Sequence, residues 1–193
     1  MNVFAGQVDR IRDLEAAGFA CQANVGDDSW SKVLMRRSAQ TPVTERLLPA
    51  GFAIRPLAGE TEIQAYVELH RAAFESRNMT AEWRARTLRH PAHVPDLDLV
   101  AVAPDGSLAA FCVCWLGNNS GQIEPLGIHP RWRRLGLGRA ILSEGLRRLH
   151  LHGASQIYVE TDNYRNAAFH LYESAGFQII EQILVYRKDY QNA

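Results

Sequence analysis

The run Gly121 to Arg148, GQIEPLGIHPRWRRLGLGRAILSEGLRR, constrains this chain more than any other stretch. Ile123, Leu126 and Ile128 give an apolar strand signal, and Pro130 stops it. Leu142, Leu146 and Leu149 fall at i, i+4 and i+7, one stripe of an amphipathic helix. Between strand and helix lies Arg133-Arg134-Leu135-Gly136-Leu137-Gly138-Arg139. Glycine lets a backbone approach a ligand closely, and the first N–H groups of a helix have no partner inside it. A helix start of this kind takes phosphate, aided by the helix dipole and by nearby guanidinium groups.

Two common phosphate folds fit poorly. In a dinucleotide fingerprint G-x-G-x-x-G the third glycine would be Ile141, and here the glycines begin eight residues beyond the strand end instead of directly after it. A nucleotide triphosphate loop needs Lys-Ser/Thr, which is missing. The formal net charge is zero, which argues against a dedicated nucleic-acid surface, although residues 131 to 139 hold four arginines as a local basic patch. Hydrophobic residues make up 47% and charged residues 22%, a globular composition. No apolar run reaches membrane-spanning length and no signal-peptide pattern opens the chain, so a cytoplasmic protein with no membrane partner is expected. Cys112 and Cys114 sit at i, i+2 on one strand face, a poor geometry for a mutual disulfide. With Cys21 they complete no metal set, so reduced thiols are expected.

The spacing Ile128-x-Pro130-x-x-Arg133-x-x-Gly136-x-Gly138 resembles the acetyl-CoA signature of the GNAT superfamily of N-acetyltransferases. A second element of that family follows about 35 residues on: Leu171-Tyr172-Glu173-Ser174-Ala175-Gly176-Phe177 resembles the L-Y-x-x-x-G-F that ends its next helix. The order of the remaining elements agrees. Phe52–Leu57 reads as a strand, Glu60–Phe74 and Thr80–Arg89 as helices, and Leu97–Val102 with Leu108–Trp115 as a hairpin about Pro104-Asp105-Gly106. Gln156–Thr161 reads as a strand parallel to the central one, Asn166–Ser174 as a helix, and Gln178–Tyr186 as one or two final strands. The resemblance implies a mixed α/β (α+β) fold, the GNAT-like acyl-CoA N-acyltransferase fold, with a mixed central sheet flanked by helices over residues 51–193.

Residues 1–50 carry no complete domain. Asp13 to Phe19 parallels Leu171 to Phe177, and Val33 to Arg37 parallels Leu184 to Lys188, with a loop seven residues longer in the first copy. The expectation is a degenerate partial acetyltransferase repeat (a helix, two strands and a linker). Some members of the superfamily are tandem two-domain proteins, mycothiol synthases among them. The bland alternative is an appended helix and hairpin.

The resemblance also implies roles. Leu126, Gly127 and Ile128 would hold pantetheine by their backbone, and Arg133, Arg134, Leu135, Gly136, Leu137, Gly138 and Arg139 the pyrophosphate of acetyl-CoA. Pro125, which donates no hydrogen bond, suggests a bulge or a parting of strands. The N–H of Gly127 or of Ile128 is then the candidate oxyanion donor. Tyr172 is the candidate general acid toward the departing thiolate, and Glu124 the candidate general base. Plain alternation puts Glu124 on the side of Leu126 and Ile128, unless a bulge at Pro125 changes the phase. A carboxylate beside apolar residues would have a raised pKa. Asn163 and Asn166 flank the position of a cofactor-binding asparagine, which is strictly Arg165. Glu160 and Asp162 stand near the expected acceptor side, and His129 and His170 read as surface or packing residues.

The expected function is transfer of an acetyl group from acetyl-CoA to an amine by direct attack in a ternary complex, with no metal. The acceptor is a small molecule or a peptide. The rival reading is a non-catalytic acyl-CoA-binding or sensing module. A third has residues 1–50 pairing with another chain as a homodimer, which is compatible with activity.

Overall fold

The computed structural model describes residues 1–22, 32–44, 47–162 and 166–189. In chain order the elements are β1 Asn2–Phe4, α1 Val8–Ala16, β2 Ala20–Cys21, β3 Lys32–Ser38, β4 Ala53–Pro56, α2 Ile63–Phe74, α3 Ala81–Leu88, β5 Asp98–Val102 and β6 Leu108–Gly117. Then follow β7 Ser120–Ile128, α4 Leu137–Leu151, β8 Gln156–Asp162, α5 Asn166–Ser174 and β9 Gln178–Arg187. The architecture is mixed α/β. Two compact units divide it, residues 1–37 with 159–193 and residues 38–158. Among the described residues no helix is long and apolar enough to cross a membrane. The run Gly26-Asp27-Asp28-Ser29, which reads as a polar turn, lies outside the described residues.

In the first unit the strand order is β1-β9-β3-β8, with β2 also on β9. The strand β1 has no counterpart in the sequence reading, because three residues show no period. It forms by antiparallel pairing of Asn2, Val3 and Phe4 with Val185, Leu184 and Ile183 of β9. Val3 then packs with Leu14 and Tyr186. The helices α1 and α5 end alike. Gly18 (φ 80°) and Gly176 (φ 86°) take the left-handed conformation. The N–H of Phe19 bonds to the carbonyl of Leu14 at 2.9 Å, and that of Phe177 to the carbonyl of Tyr172 at 3.1 Å. Both are 6→1 caps that only glycine opens without strain. The final strand is one continuous element. Its register with β3 shifts where Leu34 faces Glu181 and Met35 faces Ile179, so Ile180 is the extra residue.

In the second unit the order is β8-β7-β6-β5-β4. All pairs are antiparallel except β7 with β8, which run parallel through Ser120–Gln122 and Gln156–Tyr158. The intervening α4 makes that crossover. Thr80 caps α3 as its sequence suggests, its hydroxyl accepting from the Trp83 N–H at 3.1 Å. One sheet face carries Val100, Phe111 and Val113 against Tyr66, Val67 and Leu69 of α2. The other carries the two cysteines against α4, whose stripe Leu142, Leu146 and Leu149 is buried as expected.

Cys112 and Cys114 are free thiols with sulfurs 3.7 Å apart. The contact with Cys114 and burial push the Cys112 thiol well up, so it is not a thiolate nucleophile. Gly145 of α4 rides over them: a Cβ there would lie 3.0 Å from the Cys114 sulfur and 3.1 Å from that of Cys112. Gly145→Ala is therefore expected to cost about 1–3 kcal/mol by overpacking. Denaturant unfolding would read it, and adding Cys114→Ala should recover part of the loss.

Candidate active site

The centre of the second unit is an interruption in β7. Cys114 pairs with Ile123 and Cys112 with Leu126, so Val113 faces both Glu124 and Pro125. This is the bulge that Pro125 suggested, and the Glu124–Pro125 peptide is cis. The bulge reverses the phase of the strand. Ile123 and Leu126 share the face of the two cysteines, toward α4. Glu124 and Pro125 instead line the opposite side with Val113 and Trp115. The uninterrupted alternation that would place Glu124 beside Leu126 and Ile128 is thus corrected. Glu124 is exposed. Its backbone carbonyl, released from the ladder, accepts from the Trp115 indole N–H at 2.8 Å.

The strand also separates the two candidate oxyanion donors. The His129 N–H bonds to the carbonyl of Ala109 at 2.9 Å. Gly127 lies opposite Phe111 in the same register. Backbone direction alternates along a strand, so the Gly127 N–H points to β6 and that of Ile128 points away from it. Gly127 itself is required by packing: a Cβ would lie 2.5 Å from Phe111 Cζ and 3.0 Å from Ala73 Cβ.

Beyond β7 the chain makes a 3-10 turn at Pro130–Trp132, where His129 Nδ1 accepts from the Arg131 N–H at 3.1 Å. His129 is thus a capping residue. Arg131 lies over Trp132 and pairs with Asp105 at 3.0 Å. The Arg133 guanidinium bonds to the Ala73 carbonyl at 3.0 Å and lies 3.5 Å from the Ile128 carbonyl, stapling the turn to the C-terminal end of α2. Arg134 (φ 65°) and Gly136 (φ 83°) are both left-handed, and Gly136 is the N-cap of α4. The first helical bond runs from the Ala140 N–H to the Gly136 carbonyl at 3.1 Å. The N–H groups of Leu137, Gly138 and Arg139 therefore precede any helical acceptor. Arg134, Leu135 and Arg139 are exposed, whereas the Leu137 side chain is buried with Ala103 and Ala109. A phosphate group fits this start, since a Cβ at Gly136 would meet nothing within 4 Å.

A cavity of roughly 780 Å³ opens between α2, α3 and the bulge, lined by Tyr66, His70, Phe74, Met79, Trp83, Arg84, Trp115 and Glu124 among others. Its floor holds a charge pair absent from the sequence reading. Arg84 Nη2 lies 2.5 Å from Asp98 Oδ2, with both side chains 2% exposed. His93 Nε2 meets the same oxygen at 2.9 Å, and the guanidinium carbon lies over the Tyr66 ring, 3.7 Å from its centroid. Among the described residues, Arg84 Nε, Asp98 Oδ1, Tyr66 Oη and His70 Nδ1 are buried without hydrogen-bond partners. Burial pushes the Tyr66 hydroxyl pKa up. Burial, and then the Arg84 charge, hold the His70 ring below the usual imidazole value. No spacing rule links Arg84 to Asp98, because they sit on different elements. A sequence signal existed for His70, as a polar residue on the apolar stripe of α2.

The other candidates belong to the first unit. Tyr172 is buried on α5 and edge-on to Phe177, with ring centroids 5.7 Å apart. Glu160 and Asp162 are half-buried on β8, and His170 Nδ1 lies 3.2 Å from Glu173. Asn163 and Arg165 lie outside the described residues. Asn166 opens α5, but its side chain is outside them too.

Comparison with known proteins identifies the family and the fold. The sequence model of the Acetyltransferase (GNAT) family matches residues 63–177. A curated protein of Kineococcus radiotolerans named mycothiol acetyltransferase is 38% identical over 67% of this chain and 44% of its own length. One of the same name from Clavibacter michiganensis subsp. michiganensis is 34% identical over 78% of this chain and 54% of its own. The chain spans about half the length of these relatives. Among solved structures, a GCN5-related N-acetyltransferase from Sphaerobacter thermophilus superposes with a TM-score of 0.81 at 23% identity, covering 97% of this chain and 58% of that one. A tandem GNAT protein from the clavulanic acid biosynthesis pathway gives 0.74 at 15% identity, covering 96% of this chain and 62% of that one. These two show the fold.

Proposed function

This chain belongs to the acetyltransferase (GNAT) family, and from that premise we propose that it transfers the acetyl group of acetyl-CoA to an amine by direct attack in a ternary complex. The observation that carries the reading is the left-handed pair Arg134 and Gly136 opening α4 just after a bulged strand that lines a cavity. The N–H groups of Leu137, Gly138 and Arg139 would hold the pyrophosphate, with Arg134 and Arg139 supplying charge. The backbone of Leu126, Gly127 and Ile128 would hold pantetheine. The Ile128 N–H is the oxyanion donor, since that of Gly127 points to β6. Glu124 receives the ammonium of the acceptor, and the proton leaves through it, directly or through water, or through a second group in the cavity. Tyr172 donates a proton to the leaving thiolate, a role proposed on the resemblance of its motif alone. Asn163 and Asn166 are proposed as cofactor contacts on the same ground.

The acceptor is a small-molecule or peptide amine. The name of the two relatives makes mycothiol-related acceptors the first to try. Residues 1–50 are proposed as a partial repeat, which the matched caps of α1 and α5 support, and as the piece through which a homodimer would form. The reading places the enzyme in the cytoplasm, where its thiols stay reduced.

Calorimetric titration with acetyl-CoA, CoA and dephospho-CoA tests the cofactor, followed by amine screening through thiol release. Gly138→Glu is expected to weaken CoA binding at least tenfold, because a carboxylate would stand where phosphate sits. Unchanged affinity would remove the basis of the site. Tight binding without turnover of any amine would mark a binding module instead of an enzyme.

A further inference from the structure

An acceptor amine arrives as an ammonium ion and must lose a proton before it can attack. Besides the Glu124 carboxylate, the cavity offers a neutral base, an imidazole. His70 of α2 lines the cavity together with Glu124. Its ring is stacked on Phe111 at an interplanar angle of 15°, with centroids 5.5 Å apart, and Phe74 lies 4.8 Å away. Phe111 in turn touches the Cα side of Gly127, the residue before the proposed oxyanion donor. His70 therefore stands one ring away from the reacting segment of β7.

The two nitrogens of His70 differ in surroundings. Nδ1 is buried with no hydrogen-bond partner. Among the described residues Nε2 makes no hydrogen bond, and it is not one of the buried atoms without a partner, so it keeps some accessible surface. Phe111 lies parallel to the ring, and Tyr66 and Phe74 are tilted against it. Aromatic surroundings tolerate an N–H better than a lone pair. In the neutral ring the proton is therefore assigned to the buried Nδ1, and the lone pair to Nε2.

We propose that His70 accepts the first proton of the acceptor's ammonium group at Nε2, while Glu124 holds that group in place. This rests on the acetyl-transfer reading above. The ammonium gives one proton to Nε2, and the amine lone pair forms the N–C bond. The C–S bond breaks with its electron pair on sulfur. Tyr172, in the role proposed above, gives its proton to sulfur, the second proton of the nitrogen restores the Tyr172 hydroxyl through solvent as the amide forms, and the imidazolium returns its proton to water. The titratable and charged groups facing His70 agree with a neutral resting ring. Tyr66 comes from its own helix, Arg84 and Arg86 from α3, His90 from the loop after it, and Glu124 from β7, with Asp98 behind Arg84. Burial and the Arg84 charge both keep the ring neutral.

Nitrogen-15 spectra of the histidine-labelled full chain test the tautomer, with His70→Phe identifying the signal while keeping the ring stack. The expected result is protonated Nδ1 and bare Nε2 at neutral pH. A proton on Nε2 overturns the proposal. Thiol release with phenethylamine, whose aromatic body suits Trp83 and Trp115, adds the kinetic readout. His70→Phe and His70→Gln should lose about 100-fold in kcat/KM. The acid limb of the pH profile should vanish with them, and acetyl-CoA affinity should stay unchanged. Rates within about threefold of the parent, with the limb intact, overturn the proposal. If phenethylamine is not turned over, the tautomer alone decides. Failure of the parent protein to bind acetyl-CoA would sink the acetyl-transfer reading instead.

Discussion

Asp98→Asn is expected to destabilise this protein by about 3–5 kcal/mol, which at this size lowers Tm by roughly 10 °C or more. The pair is dry: Arg84 and Asp98 are each 2% exposed and their atoms meet at 2.5 Å. Replacing the carboxylate leaves a guanidinium buried on the Tyr66 ring with no counter-charge. The ring face attracts the cation but cannot stand in for an anion. The fold tolerates the pair at some expense already, because Arg84 Nε and Asp98 Oδ1 lack partners. That predicts an asymmetry. The double variant Arg84→Met, Asp98→Leu should recover most of the loss, since removing both charges also removes both desolvation costs. Urea unfolding of the parent, the single and the double variant measures the cycle. A loss under about 1 kcal/mol in Asp98→Asn would mean that water reaches the floor of the cavity and the pair is not dry.

Gly127→Ala should lower kcat/KM about 100-fold while leaving acetyl-CoA binding measurable. The added Cβ would lie 2.5 Å from Phe111 Cζ, 2.8 Å from Cε1 and 3.0 Å from Ala73 Cβ. Phe111 cannot swing aside, because it is fully buried between Tyr66, His70 and Phe74. Ala73 is held as well, since its carbonyl anchors Arg133. The strand must therefore move, and the Ile128 N–H moves with it. Overpacking of this kind also costs about 1–3 kcal/mol of stability. Adding Phe111→Leu should restore part of both losses by clearing the space. If Tm falls while kcat/KM stays within about threefold, the Ile128 N–H is not the oxyanion donor.

How much of this was legible in the sequence depends on the range of each interaction. The strand, turn and helix from Gly121 to Arg148 are local. Their signals are apolar period, proline, glycine and the open N–H groups of a helix start, all readable within one run of residues. The bounds of α5, the Thr80 cap and the shared face of Cys112 and Cys114 are local too, and each stands as read. Proline at position 125 announced a bulge for the same reason: a missing N–H breaks a ladder wherever the ladder runs.

The phase of that bulge is another matter. Whether Glu124 falls with Leu126 or against it depends on which β6 residue sits opposite, and Val113 opposite two residues is a property of the pairing. Arg84 of α3 reaches Asp98 of β5 across a loop that holds two prolines, and no spacing encodes that contact. His70 carried a visible signal, a polar residue on an apolar stripe, yet only the packed rings distinguish its two nitrogens. The first strand forms because β9 offers it an edge. The sequence by itself determined the glycine turn that opens α4 and the elements around it, since these rest on backbone chemistry within a few residues. Only the tertiary structure decided which side chains share the cavity, since strand register and helix packing bring together residues that no local period relates.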